Sequence, residues 1–170
     1  WARIDGTDDA AVVPSWMVDR IRRDAQTFRN RKIFPFEGTD IARIRIVHPD
    51  ETLSLVARPA AEDTAVPFAI EGRPDDLLSG EATFGLVSAL AGLVVRDFPA
   101  TAPDRLDRPE LRVVVTLKDG TRHELRIAGQ DADGNPYGVA PNAPGLANTT
   151  FTLNPQHVEA LRVRASDLLP

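Results

Sequence analysis

Three histidines are the first candidates for metal binding or acid–base chemistry. His48 lies at a predicted hairpin turn and His157 in the first turn of a predicted helix, so we expect both to face water. His123 falls on the apolar face of a predicted strand, where a hydrogen bond to the backbone is its expected state. The three are far apart in sequence and lack the HxH or HExxH spacing of metal sites. The sequence therefore predicts no metal and no cofactor.

One acidic loop, residues 131–135 with the sequence DADGN, has some of the composition of a calcium site. An EF-hand loop needs glycine at its sixth position and glutamate at its twelfth. Here the glycine is fourth and the twelfth residue is Asn142. The pattern favours a turn between two strands.

Hydrolysis would need a serine nucleophile or paired carboxylates. The candidate serines are Ser15, Ser54, Ser79, Ser88 and Ser166. None lies in a GxSxG motif, and the first and third suit helix caps. The carboxylate pairs all lie in polar loops, namely Asp8-Asp9, Glu62-Asp63 and Asp75-Asp76. A cell-envelope glycan hydrolase, which is the alternative hypothesis, would need two such carboxyls across a cleft. The leading prediction is that the protein is not an enzyme and has no catalytic residue.

Six basic residues form a positively charged cluster near the N-terminus. They are Arg20, Arg22, Arg23, Arg29, Arg31 and Lys32. The cluster could contact anionic lipid or glycan, but interleaved acidic residues dilute it and favour a solvated helix face. The glycines Gly80, Gly85 and Gly92 lack the GxGxxG order of a phosphate loop. We expect Gly85 and Gly92 to allow close packing against a strand.

Composition limits the class of protein. The 170 residues suit one domain or two small similar units, and 42% apolar with 26% charged residues is ordinary for a soluble globular chain. A net charge of −5 argues against a nucleic-acid partner. The absence of cysteine excludes disulfides and thiolate chemistry. No run reaches the roughly 18 apolar residues of a membrane span. The sequence begins at Trp1 without an initiator methionine, so we expect any membrane anchor to lie upstream.

The longest apolar stretch predicts a core helix over residues 77–98, with Ser79 as its N-cap and Pro99 after its end. Its helical stripe consists of Phe84, Val87, Ala91, Val94 and Phe98. Three leucines at positions 86, 90 and 93 widen this stripe. We therefore expect the helix to be covered on most sides.

Alternating apolar residues predict two β-hairpins, over residues 40–59 and 111–127. In the first, the predicted pairs are Ile46–Leu53 and Ile44–Leu55. In the second, a three-residue loop with Gly120 in the left-handed position gives Leu111–Ile127, Val113–Leu125 and Val115–His123. Residues 66–70 read as an edge strand because of Pro67, and this edge could accept a partner strand.

Two further helices are predicted, one from Ser15 to Arg29 and one over residues 155–168, opened by Asn154. Strand, loop, strand and capped helix recur in this order at both ends of the chain. The predicted fold is therefore α+β, with antiparallel hairpins packed on about three helices and an internal ββ(β)α-type repeat. Residues 1–36 would end a preceding repeat, and residues 37–170 would form a complete unit.

Four phrases give a resemblance to a known family: FRNRKIFPFEGTDIARIRI, LLSGEATFGLVSALAGLVV, DRLDRPELRVVVTLKDGTRHELRIAG and YGVAPN with FTLNPQHVEAL. They resemble, in order and over nearly the whole chain, the bacterial domain-of-unknown-function 4340 family. The corresponding residues are Arg29, Arg31, Phe34, Phe36, Asp40, Ile41, Leu106, Pro109, Asp119, Gly120 and Gly129. The chain departs from the family at Arg105, often glycine there, and in a proline-rich loop at 141–144.

The resemblance implies a membrane-anchored protein that faces the periplasm, beside ABC-type export or gliding-motility components. It brings no catalytic motif. The function hypothesis is a non-catalytic extracytoplasmic accessory or interaction domain of a membrane-linked assembly, with a protein partner. A small-ligand-binding module is a further alternative.

Overall fold

The computed structural model describes residues 2–3, 10–12, 14–16, 31–58, 67–99, 106–147 and 149–170. The chain divides into two compact units, Trp1–Asn30 and Arg31–Pro170. In the first, strands β1 (Ala2–Arg3) and β2 (Ala10–Ala11) pair in antiparallel fashion. The predicted helix from Ser15 to Arg29 falls almost wholly outside the described residues, so the internal repeat stays a prediction.

The second unit is built on a seven-stranded sheet in which all neighbours are antiparallel. Its strands are β3 (Ile41–Val47), β4 (Thr52–Ala57), β5 (Phe68–Ile70), β6 (Leu111–Leu117), β7 (Arg122–Gln130), β8 (Pro136–Val139) and β9 (Thr150–Thr152). Their order across the sheet is β5-β4-β3-β6-β7-β8-β9. The two predicted hairpins thus lie side by side, joined through β3 and β6.

The predicted registers of both hairpins are confirmed. The observed pairs are Ile46–Leu53 and Ile44–Leu55 in the first, and Leu111–Ile127, Val113–Leu125 and Val115–His123 in the second. Gly120 has a φ of +87°, the left-handed value that the three-residue loop requires. All of these apolar side chains lie on one face of the sheet and are buried. Alternation and turn geometry together set the register because a slip of one residue would expose this entire set.

The core covers one face of the sheet. Helix α1 (Gly80–Ala91) and residues 33–36 pack on this face, and Ile33 and Phe34 have no exposed surface. Ser79 caps α1 as predicted, because its Oγ accepts a hydrogen bond from Ala82 N at 3.3 Å. Residues 33–36, which precede the predicted domain boundary after residue 36, therefore contribute to the core of the second unit.

The central helix is shorter than predicted. It ends at Ala91, with Gly92 as the C-cap, rather than at Phe98. Beyond it, the backbone runs extended beside residues 31–33: Ile33 N donates to Leu93 O (3.1 Å) and Val95 N donates to Arg31 O (2.7 Å). Because these backbone groups bond to another segment, they are not available for helical bonds.

The buried face of α1 also differs from the prediction. Thr83, Leu86 and Leu90 are buried, whereas Phe84 is 73% exposed. The helix therefore packs on one side, and the expectation that it would be covered on most sides is wrong. Apolar residues occur on both candidate faces of this helix, so periodicity alone did not identify the one that contacts the sheet.

The C-terminal segment is not one helix over residues 155–168. It forms a short helix α2 (Pro155–Glu159) and a separate 3₁₀ turn (Ala165–Leu168). The predicted cap is confirmed, because Gln156 N donates to Asn154 Oδ1 at 2.9 Å. Among the helices of the described residues, only α1 has seven or more residues. The antiparallel sheet thus dominates the fold, and packing on about three helices is not supported.

Candidate functional site

The side of the sheet that faces away from the core is lined by arginine. Alternate residues of a strand project to opposite faces, so the residues between the core positions lie together on this second face. Five arginines of three adjacent strands are placed there: Arg43, Arg45, Arg112, Arg122 and Arg126. We refer to these arginines, with Glu124 between them, as the arginine face.

The strand registers fix the arrangement of this face. Arg112 on β6 lies opposite Arg126 on β7. In the next row, Arg45 lies opposite Val114, which in turn lies opposite Glu124. Neighbouring strands are roughly 4.8 Å apart, so like-charged side chains from distant parts of the sequence are held close together.

Glu124 organises two of these arginines. Its Oε1 accepts hydrogen bonds from Arg112 Nε at 2.9 Å and from Arg126 Nε at 2.7 Å. The glutamate side chain is 9% exposed, and those of the arginines are 39% and 36% exposed. Burial on its own raises the pKa of Glu124, but the two guanidinium hydrogen bonds outweigh it and hold the pKa below its ordinary value. Glu124 is thus a charged anchor that fixes both guanidiniums.

The remaining arginines leave the face positively charged. Arg43 pairs with Glu71 at 3.0 Å at the β5 side of the sheet. Arg45 and Arg122 are exposed and have no ion pair with any residue that the structure describes. The face can therefore attract an anionic group.

The histidines lie apart from the arginine face. His157 is exposed, as predicted. His48 is buried, and its Nε2 lies 3.2 Å from the carbonyl oxygen of Val163, so the expectation that it faces water is wrong. The C-terminal segment covers the β3–β4 turn at this point, which the hairpin pattern alone could not indicate.

His123 is on the apolar side, as predicted, but lacks the expected backbone bond. Its Nδ1 is buried without a hydrogen-bond partner. The ring packs against Phe34 and Phe36, with centroids 6.0 and 5.4 Å away. Burial lowers the pKa of His123, and the charge of Asp119 opposes this change.

The acidic candidates do not assemble into a metal site within the described ranges, where no group of three histidine, aspartate or glutamate side chains is suitably placed. The turn at 131–135 is confirmed: Asp131 Oδ1 accepts from Asp133 N and Asn135 N at 2.9 and 2.8 Å. The side chain of Asn135 bonds to the same carboxylate, and these bonds lower the pKa of Asp131. Asp75 is exposed and Asp76 is half-buried. The pairs at 8–9 and 62–63 lie outside the described residues.

Several other candidates have structural roles. Ser54 donates to Glu71 at 2.7 Å, next to the arginine face. The expectation that Gly85 and Gly92 allow close strand packing is wrong, because a Cβ at Gly85 would meet nothing within 4 Å and Gly92 ends α1. Of the predicted basic cluster, residues 20–29 are outside the described part, and the guanidinium of Arg31 donates to Arg96 O at 2.6 Å.

The predicted edge strand is confirmed as β5, at one end of the sheet. Ile70 O accepts a hydrogen bond from Arg73 N at 3.0 Å, so a tight turn occupies part of this edge. Addition of a partner strand at β5 stays a prediction.

The arginine face was missed at the level of sequence. One signal was present, because arginine alternates with isoleucine in β3 and the correct register places Arg112 opposite Arg126. The missing information was that β3 lies beside β6. This contact joins residues about 70 positions apart, and local patterns do not predict it.

The second unit is therefore a domain of the antiparallel-sheet class, with the hydrophobic core on one face of the sheet and the arginine face on the other. Residues 1–109 match the family described as Domain of unknown function (DUF4340), and the chain belongs to this family. The match includes Arg43 and Arg45 and ends just before β6. Neither the curated proteins nor the solved structures contain a match to the chain. Among the described residues, no helix has the length and apolar character needed to cross a membrane.

Proposed function

We propose that this chain is a non-catalytic accessory domain that binds a partner protein through the arginine face. The supporting observation is the set of five arginines on three adjacent central strands, of which three are exposed and two are half-buried and fixed by Glu124. Arginine is enriched in protein interfaces because its planar guanidinium makes several directed hydrogen bonds and its stem packs on apolar groups. Membership of a family of unknown function assigns no activity of its own.

We further propose that the domain acts outside the cytoplasm, in a membrane-linked assembly of the ABC-transporter type, and that an anchor holds it to the membrane. The order of the four family-like phrases supports this context. A chain without cysteine also tolerates an oxidising compartment.

The hydrolase alternative would need two carboxyls facing one substrate. Asp75 and Asp76 follow β5, whereas Asp131 opens the β7–β8 turn and already accepts four protein hydrogen bonds. No contact among the described residues favours this alternative, or a small-ligand site, over the binding domain.

Site-specific photo-crosslinking in the bacterium of origin tests the proposal. A photoreactive phenylalanine analogue replaces Thr52, which is exposed and lies opposite Val47 beside the arginine face. The matched control replaces Ser88, which is exposed on α1. We expect position 52 to give a discrete cross-linked product with another envelope protein and position 88 to give none.

Products of the same identity and yield from both positions would contradict a binding role for this face. Fractionation of the same cells tests the location, because the cross-linked product should remain with the membranes and be accessible from the periplasmic side. Recovery in the cytoplasm would contradict the extracytoplasmic proposal.

A further inference from the structure

We propose that the arginine face binds an extended acidic segment of the partner protein, with aspartate or glutamate at alternate positions. This inference rests on the proposed function, since it names the chemistry of the partner for the same surface. The sign of the partner's charge follows from the face itself. Its five arginines meet only two carboxylates, Glu124 between Arg112 and Arg126 and Glu71 beside Arg43, although the chain as a whole has a net charge of −5.

The pair of Arg112 and Arg126 is already oriented to receive a carboxylate. Both Nε atoms bond to the same oxygen of Glu124, at 2.9 and 2.7 Å. Their Nη groups make no hydrogen bond with any described residue. One carboxylate therefore faces two guanidiniums, and their Nη groups can donate hydrogen bonds to a second carboxylate while the side chains keep their orientation.

The spacing of the face matches an extended segment. Arg43 and Arg45 are alternate residues of β3, so they repeat at roughly 6.8 Å along the strand. Alternate side chains of an extended peptide repeat at the same distance. Arg45 also lies diagonally across from Arg112, because its direct partner on β6 is Val114. An acidic residue at every second position can therefore face successive arginines.

The surroundings of the arginines favour a polypeptide over other polyanions. Val47 and Val139 lie opposite Arg112 and Arg126 in the same row and offer apolar contacts to side chains. A nucleic acid favours a strongly basic protein, which this chain is not. An anionic membrane surface would extend past the face to the β3–β4 turn, where Asp50 and Glu51 share the single Arg164 and leave a net negative charge that would repel it.

Fluorescence anisotropy tests the inference with the purified 170-residue chain and a labelled synthetic peptide in which glutamate alternates with threonine. We expect saturable binding that weakens as salt is added. Arg45→Glu combined with Arg122→Glu should weaken binding at least about tenfold, because like charges then face each other. Arg73→Glu combined with Arg108→Glu makes the same charge change at exposed positions off the face and should alter binding less than about twofold.

Parallel measurements use phosphatidylglycerol vesicles, a DNA duplex and sedimentation of the chain alone. If vesicles or DNA bind through the face and the peptide does not, the inference is overturned in favour of that ligand. Self-association that the face variant abolishes would overturn it in favour of a second copy. If circular dichroism shows that the glutamate variant is unfolded, Arg45→Gln with Arg122→Gln removes the charges without adding repulsion and should also weaken peptide binding.

Failure of this inference is distinguishable from failure of the proposed function. A partner cross-linked from position 52, together with no binding of the acidic peptide, would mean that the face binds a protein of different chemistry. Equal cross-linking from positions 52 and 88 would contradict the proposed function itself.

Discussion

The imidazole of His123 is buried against Phe34 and Phe36, with Nδ1 unbonded. A proton on this ring would place a charge in an apolar site, so burial holds the pKa below the ordinary 6.5 despite the nearby charge of Asp119. The unfolded chain therefore binds a proton that the folded chain resists. The stability that the neutral ring allows is complete above pH 6.5 and declines as the pH falls below that value.

We predict that His123→Leu reduces the loss of thermal stability between pH 7.5 and pH 5.5. A single histidine can account for at most about 1.4 kcal/mol per pH unit. Carboxyls with lowered pKa values, such as Glu124 and Asp131, contribute at lower pH, because each loses its contribution only as the pH falls below its ordinary value. Thermal melts over this range measure the effect.

His157→Gln is the matched control, because it also removes a histidine but at an exposed position. If His123→Leu melts with the same pH dependence as the parent chain, the His123 ring does not cause the loss of thermal stability between pH 7.5 and pH 5.5.

The helix and the strands differ in how much room they leave for a side chain. Gly138 in β8 faces the core, and a Cβ there would lie 2.7 Å from Phe151 Cε2 and 3.3 Å from Leu153 Cδ1. Gly85 in α1 would meet nothing within 4 Å. The same substitution should therefore have opposite effects in the two elements.

We predict that Gly138→Ala lowers the free energy of unfolding by about 1–3 kcal/mol, because the added methyl group overpacks the core. Gly85→Ala should raise it by about 0.5–1 kcal/mol, since alanine loses less backbone entropy in a helix. Urea denaturation measures both. A neutral Gly138→Ala would show that Phe151 moves aside at no cost.

The elements also show how far local pattern predicts this fold. Strand registers follow from alternation and from turns such as the one at Gly120, which is local information. The end of α1 depends on backbone bonds between Leu93 and the distant Ile33, and its buried face depends on where the sheet lies. The arginine face forms because β3 pairs with β6. The sequence shows the individual arginines, but it does not show that the two strands that carry them are neighbours.

At the scale of the whole molecule, Arg31–Pro170 contains a continuous core of its own. We predict that this fragment, expressed alone, unfolds in one cooperative transition, because small domains with one core usually do. Calorimetry and urea denaturation monitored by circular dichroism check this prediction. A fragment that shows no cooperative transition would mean that the core depends on the first thirty residues.

At the β9 end of the sheet, backbone groups that point away from β8 are bonded to another segment of the chain. At β9, Thr152 N donates to Asp97 O (2.9 Å) and Arg96 N donates to Thr152 O (2.8 Å). A segment of the chain itself thus occupies the side on which another molecule would otherwise add a strand. Growth of a fibre from folded copies joined edge to edge requires such addition at both ends of each sheet, so the short segment after α1 opposes this route at the β9 end.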